Sequence, residues 1–555
     1  LFMSHASHGA QEAQDFVNNI QCKINAQEGN SLPVSAFKDY VDGTTPSGTA
    51  AYEKRGIAVN VPVWVPDNCI QCNRCAYVCP HAAIRPVAMT ADETANAPEG
   101  IKTLPLTGMK DYTFTMTVSA LDCTGCGSCA NVCPGKKGNK ALEMAPLEAN
   151  TEEQKFFDYG VTLPQKEDVI AKYKETTVKG SQFKQPLLEF SGACAGCGET
   201  PYAKLITQLF GDRMYIANAT GCSSIWGNSS PSTPYTTNAK GQGPAWSNSL
   251  FEDNAEFGYG MLLAQRAIRG GLKEKIEDLV ANGTNEDVKA AGQEWLDTYA
   301  VGATNGAATE KLVAALEACG CDKANEILAQ KDFLSKKSQW IFGGDGWAYD
   351  IGFGGVDHVL ASGRDINVMV FDTEVYSNTG GQSSKSTPTG AIAQFAAGGK
   401  ETKKKDMASI AMSYGYVYVA QISMGADFNQ TVKAIAEAEA YPGPSLIIAY
   451  APCINHGIKK GMSKAQTEEQ LAVECGYWNN FRFNPEAEKK FTLDSKEPKG
   501  DYQEFLNGEV RYNALMRANP EKAQRLFAQN EAEAMERYEY LKGLVNLYDG
   551  TAKED

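Results

Sequence analysis

The sequence lacks the features that mark membrane, nucleic-acid-binding and secreted proteins. No apolar run approaches the roughly 18 residues that a helix needs to span a bilayer. The formal net charge of −15 argues against nucleic acid, a partner that selects for clustered lysine and arginine. Residues 1–8 show no charged-then-apolar pattern of a signal peptide, and position 1 is not methionine. This beginning is typical of the middle of a longer chain, and we expect an acidic cytoplasmic protein.

Composition and length favour a globular protein with several cores. The chain has 555 residues, of which 43% are hydrophobic and 21% charged, and this length predicts about three domains. Ten of the sixteen cysteines fall into metal-type spacings in a chain without a signal pattern. That pattern favours metal ligation in a reducing compartment over a disulfide framework.

Eight cysteines form two runs with the same spacing, C-x2-C-x2-C-x3-C-P. In this spacing three thiolates surround one [4Fe–4S] cluster and the fourth reaches its neighbour. The alternative is a zinc ribbon, in which two C-x2-C knuckles bind one zinc ion. A zinc ribbon does not require the third cysteine, the fourth cysteine and the proline that both runs contain. The predicted ligands are Cys69, Cys72, Cys75 and Cys133 for one cluster, and Cys123, Cys126, Cys129 and Cys79 for the other.

The remaining C-x2-C pair is Cys194 and Cys197, which taken alone fits a redox dithiol, a zinc half-site or two buried thiols. Cys222 and Cys453 each follow an apolar run that predicts a parallel strand. Cofactors lie at the carboxyl ends of such strands, so convergence there favours a third cluster. Four cysteines without such a context are interpreted as structural or solvent-exposed thiols: Cys22, Cys319, Cys321 and Cys475.

A short apolar run ends in Gly344-Asp345-Gly346-Trp347, and a second ends in small polar residues from Thr373 onward. Such a parallel α/β unit offers backbone N–H groups and one carboxylate to a diphosphate with its divalent cation. We interpret the motif as a thiamine diphosphate site, although Gly-Asp-Gly alone equally fits a strand-to-helix turn capped by Asp345.

The predicted fold is an α/β domain with a mostly parallel sheet flanked by helices, preceded by a bacterial 2[4Fe–4S] ferredoxin-like α+β domain. The C-terminal part is rich in charged residues and tyrosine, and we identify no chemistry in it. The predicted divisions are a connecting segment (1–60), the ferredoxin-like domain (61–150), a linker (151–186), the α/β domain (187–466) with a helical insertion at about 261–335, and a C-terminal helical extension (467–555).

Together these motifs closely resemble the C-terminal half of pyruvate:ferredoxin oxidoreductases of the homodimeric, single-chain type. The resemblance begins at about Ser31 and covers nearly the whole chain after it. It depends on the two cysteine runs and on the segments 192–201, 220–226, 249–258 and 373–382.

The resemblance implies the cofactor ligands residue by residue. Asp345, Thr373 and the carbonyl of Val375 would bind Mg²⁺. Many thiamine enzymes have Asn-Asn or similar where this chain has Asp372-Thr373, so ligation by Thr373 follows from the resemblance alone. A third [4Fe–4S] cluster would take Cys194, Cys197, Cys222 and Cys453, and thiamine diphosphate would be lined by Glu199, Cys222, Gly344, Gly346, Trp347 and Asn378, the last also catalytic.

The implied reaction is oxidative decarboxylation of pyruvate with CoA to acetyl-CoA and CO₂, with electrons passing through three clusters to ferredoxin or flavodoxin. A glutamate from a pyrimidine-binding domain activates thiamine in this family, and that domain lies in the N-terminal half of the same enzyme. We therefore expect a fragment that is inactive alone and a homodimer of complete chains. The alternatives are a related oxidoreductase for 2-oxoglutarate, branched-chain or aryl 2-oxoacids, and a non-enzymatic electron-transfer module based on residues 61–150.

Overall fold

The computed structural model describes residues 10–229 and 232–548, and no helix in these ranges is long and apolar enough to cross a membrane. The N-terminal segment begins with α1 (Gln11–Phe16) and α2 (Cys22–Asn25) and continues through short 3₁₀ turns to Tyr52. It contacts both of the following units: Ala50 N–H donates to the Thr233 carbonyl at 3.2 Å, and Gly56 N–H donates to the Leu121 carbonyl at 2.8 Å. Residues 1–9 of the predicted connecting segment lie outside the described ranges.

The cysteine-rich unit contains two small antiparallel sheets and three short helices. One sheet pairs the first strand with the last, and the other has the order β2-β4-β3. Its core includes Cys79 and Cys129 beside Trp64 and Phe114, so cysteines replace part of an ordinary apolar core. The elements are β1 (Asn60–Trp64), α3 (Arg74–Tyr77), β2 (Ile84–Met89), α4 (Ala91–Ala95), β3 (Leu104–Pro105), β4 (Thr113–Val118), α5 (Ser128–Val132) and β5 (Leu142–Pro146).

Residues 151–186 contain short helices, as predicted, but they do not form an open linker. Three helices, α6 (Glu153–Thr162), α7 (Glu167–Tyr173) and α8 (Val178–Ser181), lie against the cysteine-rich unit. Val169 is buried in the core of that unit, and Phe157 is buried beside Phe190. The charged residues that suggested a linker occupy the outer faces of these helices.

The α/β unit is built on an eight-stranded sheet with the order β13-β12-β10-β11-β9-β8-β6-β7, in which β6 to β11 are parallel. Its strands and associated helices are α9 (Thr200–Phe210), β6 (Met214–Ala219), α10 (Cys222–Ser224), β7 (Ala245–Ser249), β8 (Ser338–Gly344), α15 (Phe353–Ala361), β9 (Ile366–Asp372), α16 (Met407–Met412), β10 (Tyr418–Ile422), α17 (Phe428–Ala440) and β11 (Pro444–Tyr450).

Side chains of the central strands alternate between two apolar layers. Ile341 and Val370 face one layer, whereas Phe342 and Phe371 face the other, and all four are fully buried. Burial on both faces explains why these strands appear in the sequence as continuous apolar runs. The carboxyl ends of β6, β8, β9 and β11 therefore meet at one edge of the sheet.

The helical insertion begins earlier than the predicted position 261. It consists of α11 (Asn254–Asn282), α12 (Glu286–Asp297), α13 (Gly302–Cys319) and α14 (Asp322–Leu328). Its own core surrounds Trp295 and Leu312, while the first part of α11 packs on β6 and β8.

The C-terminal extension is not purely helical, which corrects the prediction for residues 467–555. After α18 (Ala465–Glu474), the three-residue strand β12 (Phe481–Phe483) pairs antiparallel with β10, and β13 (Phe491–Leu493) pairs antiparallel with β12. The final helices are α19 (Tyr502–Asn507), α20 (Val510–Ala518) and α21 (Pro520–Tyr548), and residues 549–555 lie outside the described ranges. Leu526 and Phe527 of α21 join the core of the sheet, so the extension is part of the α/β unit.

Candidate functional site

The eight cysteines of the two runs line two separate cavities. One cavity is lined by Cys69, Cys72, Cys75 and Cys133. The other is lined by Cys79, Cys123, Cys126 and Cys129. Each cavity therefore takes three cysteines from one run and the fourth from the other, which is the crossed arrangement that a pair of cubane clusters requires.

The backbone takes the same turn in three C-x2-C segments. The residue before the second cysteine has a positive φ in each: +56° at Gln71, +71° at Gly125 and +77° at Gly196. At the first two sites this residue's N–H donates to the sulfur of the first cysteine, at 3.4 Å in Cys69 and 3.3 Å in Cys123. Hydrogen bonds from N–H groups stabilise thiolate ligands, so the turn prepares these sulfurs for ligation.

The third cysteine group is assembled at the carboxyl edge of the sheet. Gly198, just after Cys197, donates its N–H to the Pro452 carbonyl at 3.1 Å, which holds the Cys194–Cys197 loop against the Cys453 segment. A side chain at Gly198 would meet Pro452 backbone atoms at 2.5 Å. Cys222 follows β6, and its sulfur lies 3.0 Å from the Ser377 hydroxyl oxygen.

Electrostatics also indicate that these four thiols are neighbours. Burial raises the pKa of Cys453 to about 12, and the charges of Glu199 and Cys194 add to the increase. Burial likewise raises the pKa of Cys222, with contributions from Glu199, Cys197 and Cys453. Thiols held neutral by burial need a strong cationic centre to become thiolates, and iron supplies one.

No three His, Cys, Asp or Glu side chains within residues 10–229 and 232–548 are arranged to chelate a single metal ion. A cubane cluster presents a different iron to each thiolate, so its ligands stand further apart than those of one ion. The two cysteine-lined cavities are consistent with that wider arrangement.

Three oxygen donors converge after β8 and β9. The Thr373 hydroxyl lies 3.0 Å from a carboxylate oxygen of Asp345 and 3.0 Å from the Val375 carbonyl oxygen. Ser384 donates to the other Asp345 oxygen at 2.6 Å. Burial, followed by the charge of Asp372, raises the pKa of Asp345 well above its usual range. A buried carboxylate beside a hydroxyl and a carbonyl fits a hard cation such as Mg²⁺, which would compensate that charge.

Gly346 of the Gly344-Asp345-Gly346-Trp347 motif leaves space for a neighbouring aromatic ring. A side chain at Gly346 would meet the Tyr376 ring at 2.4 Å. Trp347 is 1% exposed, and its indole N–H has no hydrogen-bond partner in the part of the chain that the structure describes. Gly344 ends β8 directly before Asp345, so the strand delivers all four motif residues to the sheet edge.

Glu199 and Asn378 differ in their surroundings. Glu199 is buried, and it accepts a hydrogen bond from the Trp226 indole at 2.8 Å. Burial raises its pKa to about 7, which this hydrogen bond opposes. Asn378 is exposed, directly after Ser377 and its contact with Cys222. The geometry thus brings Glu199 among the buried thiols and leaves Asn378 at the open side of the edge.

Sequence reasoning missed a network of buried charges behind the cation site. Lys404 Nζ donates to Asp372 at 2.8 Å and to Glu374 at 2.9 Å. Arg511 of the C-terminal extension also contacts Glu374, at 2.8 Å, and pairs with Glu509 at 2.6 Å. Although burial alone raises the pKa of Glu374, the charges of Lys404 and Arg511 outweigh it and lower the pKa to about 2. The C-terminal extension therefore supports the segment that carries Thr373 and Val375.

The cysteine-rich unit contacts the α/β unit next to the third cysteine group. His81 Nδ1 lies 3.1 Å from the Ser191 carbonyl oxygen, and the nearby Gly196 backbone opposes the increase that burial causes in the pKa of Cys126. Asn131 of α5 donates to the Thr467 hydroxyl at 2.8 Å. The cavity lined by Cys79 and Cys126 is therefore the nearer of the two to the Cys194–Cys197 loop.

Three family models match parts of the chain. Residues 299–449 match "Thiamine pyrophosphate enzyme, C-terminal TPP binding domain", and residues 68–137 match "4Fe-4S dicluster domain". Residues 4–58, predicted as a connecting segment, match a domain of unknown function. These matches confirm the predicted thiamine diphosphate-binding α/β domain and the ferredoxin-type dicluster domain.

Curated relatives match along nearly the whole chain. Pyruvate-flavodoxin oxidoreductase of Enterobacter agglomerans is 58% identical, with 96% of this chain and 46% of that protein covered. The Klebsiella pneumoniae protein of the same name is 55% identical, and the match covers 96% of this chain and 45% of that protein. Pyruvate:ferredoxin oxidoreductase of Moorella thermoacetica is 55% identical, covering 96% and 46%. The chain thus spans about half the length of the curated relatives it matches, and over that length it is similar to the pyruvate:ferredoxin and pyruvate:flavodoxin oxidoreductases.

Proposed function

We propose that this chain is the cofactor-carrying, C-terminal half of a pyruvate:ferredoxin or pyruvate:flavodoxin oxidoreductase. The observation that carries the proposal is the contact between Cys222 and Ser377, because it joins the third cysteine group to the segment that holds the cation site. The reaction would be oxidative decarboxylation of pyruvate with CoA to acetyl-CoA and CO₂, with electrons leaving to ferredoxin or flavodoxin.

Thiamine diphosphate would supply the electron sink for decarboxylation. Asp345, Thr373 and the Val375 carbonyl would hold Mg²⁺ against the diphosphate, supported by the hydrogen bond from Ser384. Gly344 would leave the strand end open to the cofactor, Gly346 makes room for the Tyr376 ring beside it, and Trp347 forms a buried wall. Asn378 would face the substrate from the open side of the edge.

The cysteine groups would form a route for electrons. The Cys194, Cys197, Cys222 and Cys453 group adjoins the thiamine segment and would receive electrons first. The proximity of Gly196 to Cys126 and the contact of His81 with Ser191 favour transfer next to the Cys79, Cys123, Cys126 and Cys129 group. The Cys69, Cys72, Cys75 and Cys133 group would then pass electrons to the acceptor.

We also propose three partners for this chain: an electron-acceptor protein, the N-terminal half of the enzyme and a second complete chain. The acceptor protein would dock beside the last cysteine group, where Lys136 and Lys137 are exposed. The N-terminal half of the enzyme would supply the pyrimidine-binding domain, and complete chains would form a homodimer. A cytoplasmic location is proposed because cluster thiolates require a reducing compartment.

The decisive experiment measures pyruvate-dependent reduction of methyl viologen. The complete enzyme is expected to be active, and the isolated chain is expected to be inactive although it binds thiamine diphosphate and about twelve irons. Strong activity of the isolated chain would contradict its assignment as one half of the site. A higher specificity constant for 2-oxoglutarate or branched-chain 2-oxoacids than for pyruvate would redirect the proposal to a related oxidoreductase.

A further inference from the structure

A buried lysine of the α/β unit lies between the two cysteine-lined cavities of the neighbouring unit. Lys204, on α9, is 2% exposed. Its ammonium group donates to the Ala76 carbonyl and, at 3.1 Å, to the Tyr77 carbonyl. Both carbonyls belong to α3, the short helix that contains Cys75 and ends two residues before Cys79. Cys75 lines one cavity, whereas Cys79 lines the other.

Lys204 has no acidic partner within the described residues. None of the ion pairs found in that part of the chain includes it, and the charged groups that act on its ammonium are the Cys79 and Cys75 thiols and Arg85. Arg85 is itself paired with Glu189. Burial of an ammonium group without a counter-charge is strongly unfavourable, and two carbonyl dipoles compensate only part of that cost.

Two anionic clusters would supply the missing counter-charge. Four thiolates give a [4Fe–4S] centre a net negative charge, and reduction adds one electron without breaking a bond. A cation near a cluster stabilises the reduced form more than the oxidised form because the reduced form is more negative. The low dielectric of the buried site strengthens this effect.

We propose that Lys204 is the shared counter-charge of the two ferredoxin-type clusters and raises the reduction potentials of both. This inference rests on the proposed function, since it requires that the two cavities hold clusters. Lys204 remains protonated in both redox states, so the electron is the only species transferred. The residue tunes the clusters and touches no substrate.

The position of Lys204 in the chain gives this role a structural consequence. Helix α9 begins at Thr200, only three residues after Cys197 of the third group. The same helix therefore adjoins the third cysteine group and carries the cation of the other two. The two ferredoxin-type potentials then depend on docking between the units, which Tyr77 supports by donating to the Phe428 carbonyl at 3.0 Å.

Redox titration of the full-length protein, followed by electron paramagnetic resonance, tests the proposal. Lys204→Gln keeps two N–H donors and removes the charge, whereas Lys204→Arg keeps the charge. The Gln variant should shift the reduced-to-oxidised ratio of both ferredoxin-type clusters toward oxidised by tenfold or more at fixed potential, a decrease in reduction potential of about 59 mV or more. The Arg variant should stay within about twofold of the wild type.

The matched control is Lys336→Met, which removes a cation paired with Asp365 at the opposite, amino end of the sheet. It should leave all cluster potentials unchanged. Iron analysis comes first, because a wild-type protein without clusters refutes the proposed function and, with it, the role of this lysine, whereas the variants of an iron-replete protein test the lysine alone. Unchanged potentials in an iron-replete Gln variant, or equal shifts in the Gln and Arg variants, would overturn the role of the charge.

Thermal melting provides a second readout that does not depend on electron transfer. Lys204→Met should lower the melting temperature of the cluster-loaded protein, because the clusters lose their counter-charge. In the cluster-free protein the same change removes an unpaired buried charge and should raise the melting temperature or leave it unchanged. A decrease of equal size in both forms would show that Lys204 acts only through packing and would refute the proposal.

Discussion

The two sets of clustered cysteines are built in different ways. In the cysteine-rich unit, the cysteines lie within two short runs whose backbone turns repeat residue by residue. In the α/β unit, the cysteines of the third group come from separate segments that only the sheet edge brings together, as the contacts of Gly198 with Pro452 and of Cys222 with Ser377 demonstrate. The first kind of site depends on local conformation, whereas the second depends on completed tertiary structure.

The largest difference between the α/β site and the cysteine-rich unit should come from Asp345→Ala. The change removes the only carboxylate among the three converging oxygen donors, so Mg²⁺ and thiamine diphosphate should be lost and activity should fall by more than about 100-fold. Bound thiamine is measured after gel filtration, together with iron. At least about eight of the twelve irons should remain, because the two cysteine-lined cavities are independent of this edge.

The control for this change is Asp365→Ala, at the amino end of the sheet and paired there with Lys336. It should retain thiamine and activity. Full thiamine retention in the Asp345 variant would contradict the assignment of the cation site.

Two cysteine substitutions sharpen the comparison between dispersed and local ligands. Cys453→Ser and Cys75→Ser should each lower iron from about twelve to about eight per chain, by loss of one four-iron cluster. Cys75→Ser should also lower the melting temperature markedly, because its cluster replaces part of an apolar core. Cys453→Ser should change it little. If the two variants lowered the melting temperature equally, the distinction between local and dispersed cysteines would be wrong.

Cys475 provides the control. Its thiol is buried and lines neither cysteine cavity, so Cys475→Ser should keep all the iron. Loss of iron in this variant would show that serine substitution disturbs the clusters indirectly.

A smaller effect should follow from Arg511→Met. The change leaves the Glu509 carboxylate buried without its cationic partner and leaves Glu374 with Lys404 alone, which should cost about 3–5 kcal/mol of unfolding free energy. Thiamine diphosphate should bind about 10- to 100-fold more weakly, since the segment with Thr373 loses support. Urea denaturation and cofactor titration measure the two effects.

Arg525→Met is the matched change at the surface, where the cation lies 4.0 Å from Glu401. Its effect should be within about 1 kcal/mol. If the two arginine variants were equally stable, the buried network would have no role in holding the cation site.

The smallest effect concerns pH and Glu469, which accepts hydrogen bonds from Gly425 N–H at 2.6 Å and from Tyr202 at 3.2 Å. Burial raises its pKa from 4.5 to about 8. The folded protein thus keeps a proton that the unfolded chain releases above pH 4.5, so this group destabilises the fold as pH rises toward 8, by about 2 kcal/mol between pH 4.5 and 6.

Glu469→Gln should flatten the dependence of the unfolding free energy on pH across that window. The exposed Glu474→Gln serves as the control and should leave the slope unchanged. A slope in the Glu469 variant equal to that of the wild type would show that this carboxyl group ionises normally in the fold.

The sequence predicted best what is encoded locally. The spacing of eight cysteines grouped them as the structure does, because a C-x2-C turn is determined by adjacent residues. The run predicted as a strand from Ile366 to Phe371 is β9 with one further residue, since burial on both faces leaves a continuous apolar pattern. The ligation of metal by these residues remains a prediction.

Long-range features could not be predicted in the same way. Arg511 and Glu374 are 137 residues apart, and no periodicity or motif connects them. Strands β12 and β13 have three residues each and include Arg482 and Thr492, so their pattern is too short to identify them. Pairing with β10 and packing under α21 create these strands, and both are properties of the assembled unit.

The position of Arg511 also determines when the thiamine edge can be completed during synthesis. A ribosome releases the chain from its N-terminus, so the cysteine-rich unit emerges and can fold long before the last helices exist. Glu374 can pair with Arg511 only after residue 511 has left the exit tunnel. Until then Lys404 is its only cationic partner among the described residues. Cluster insertion can therefore begin on the nascent chain, whereas the segment that carries Thr373 and Val375 gains its full support only after residue 511 has been synthesised.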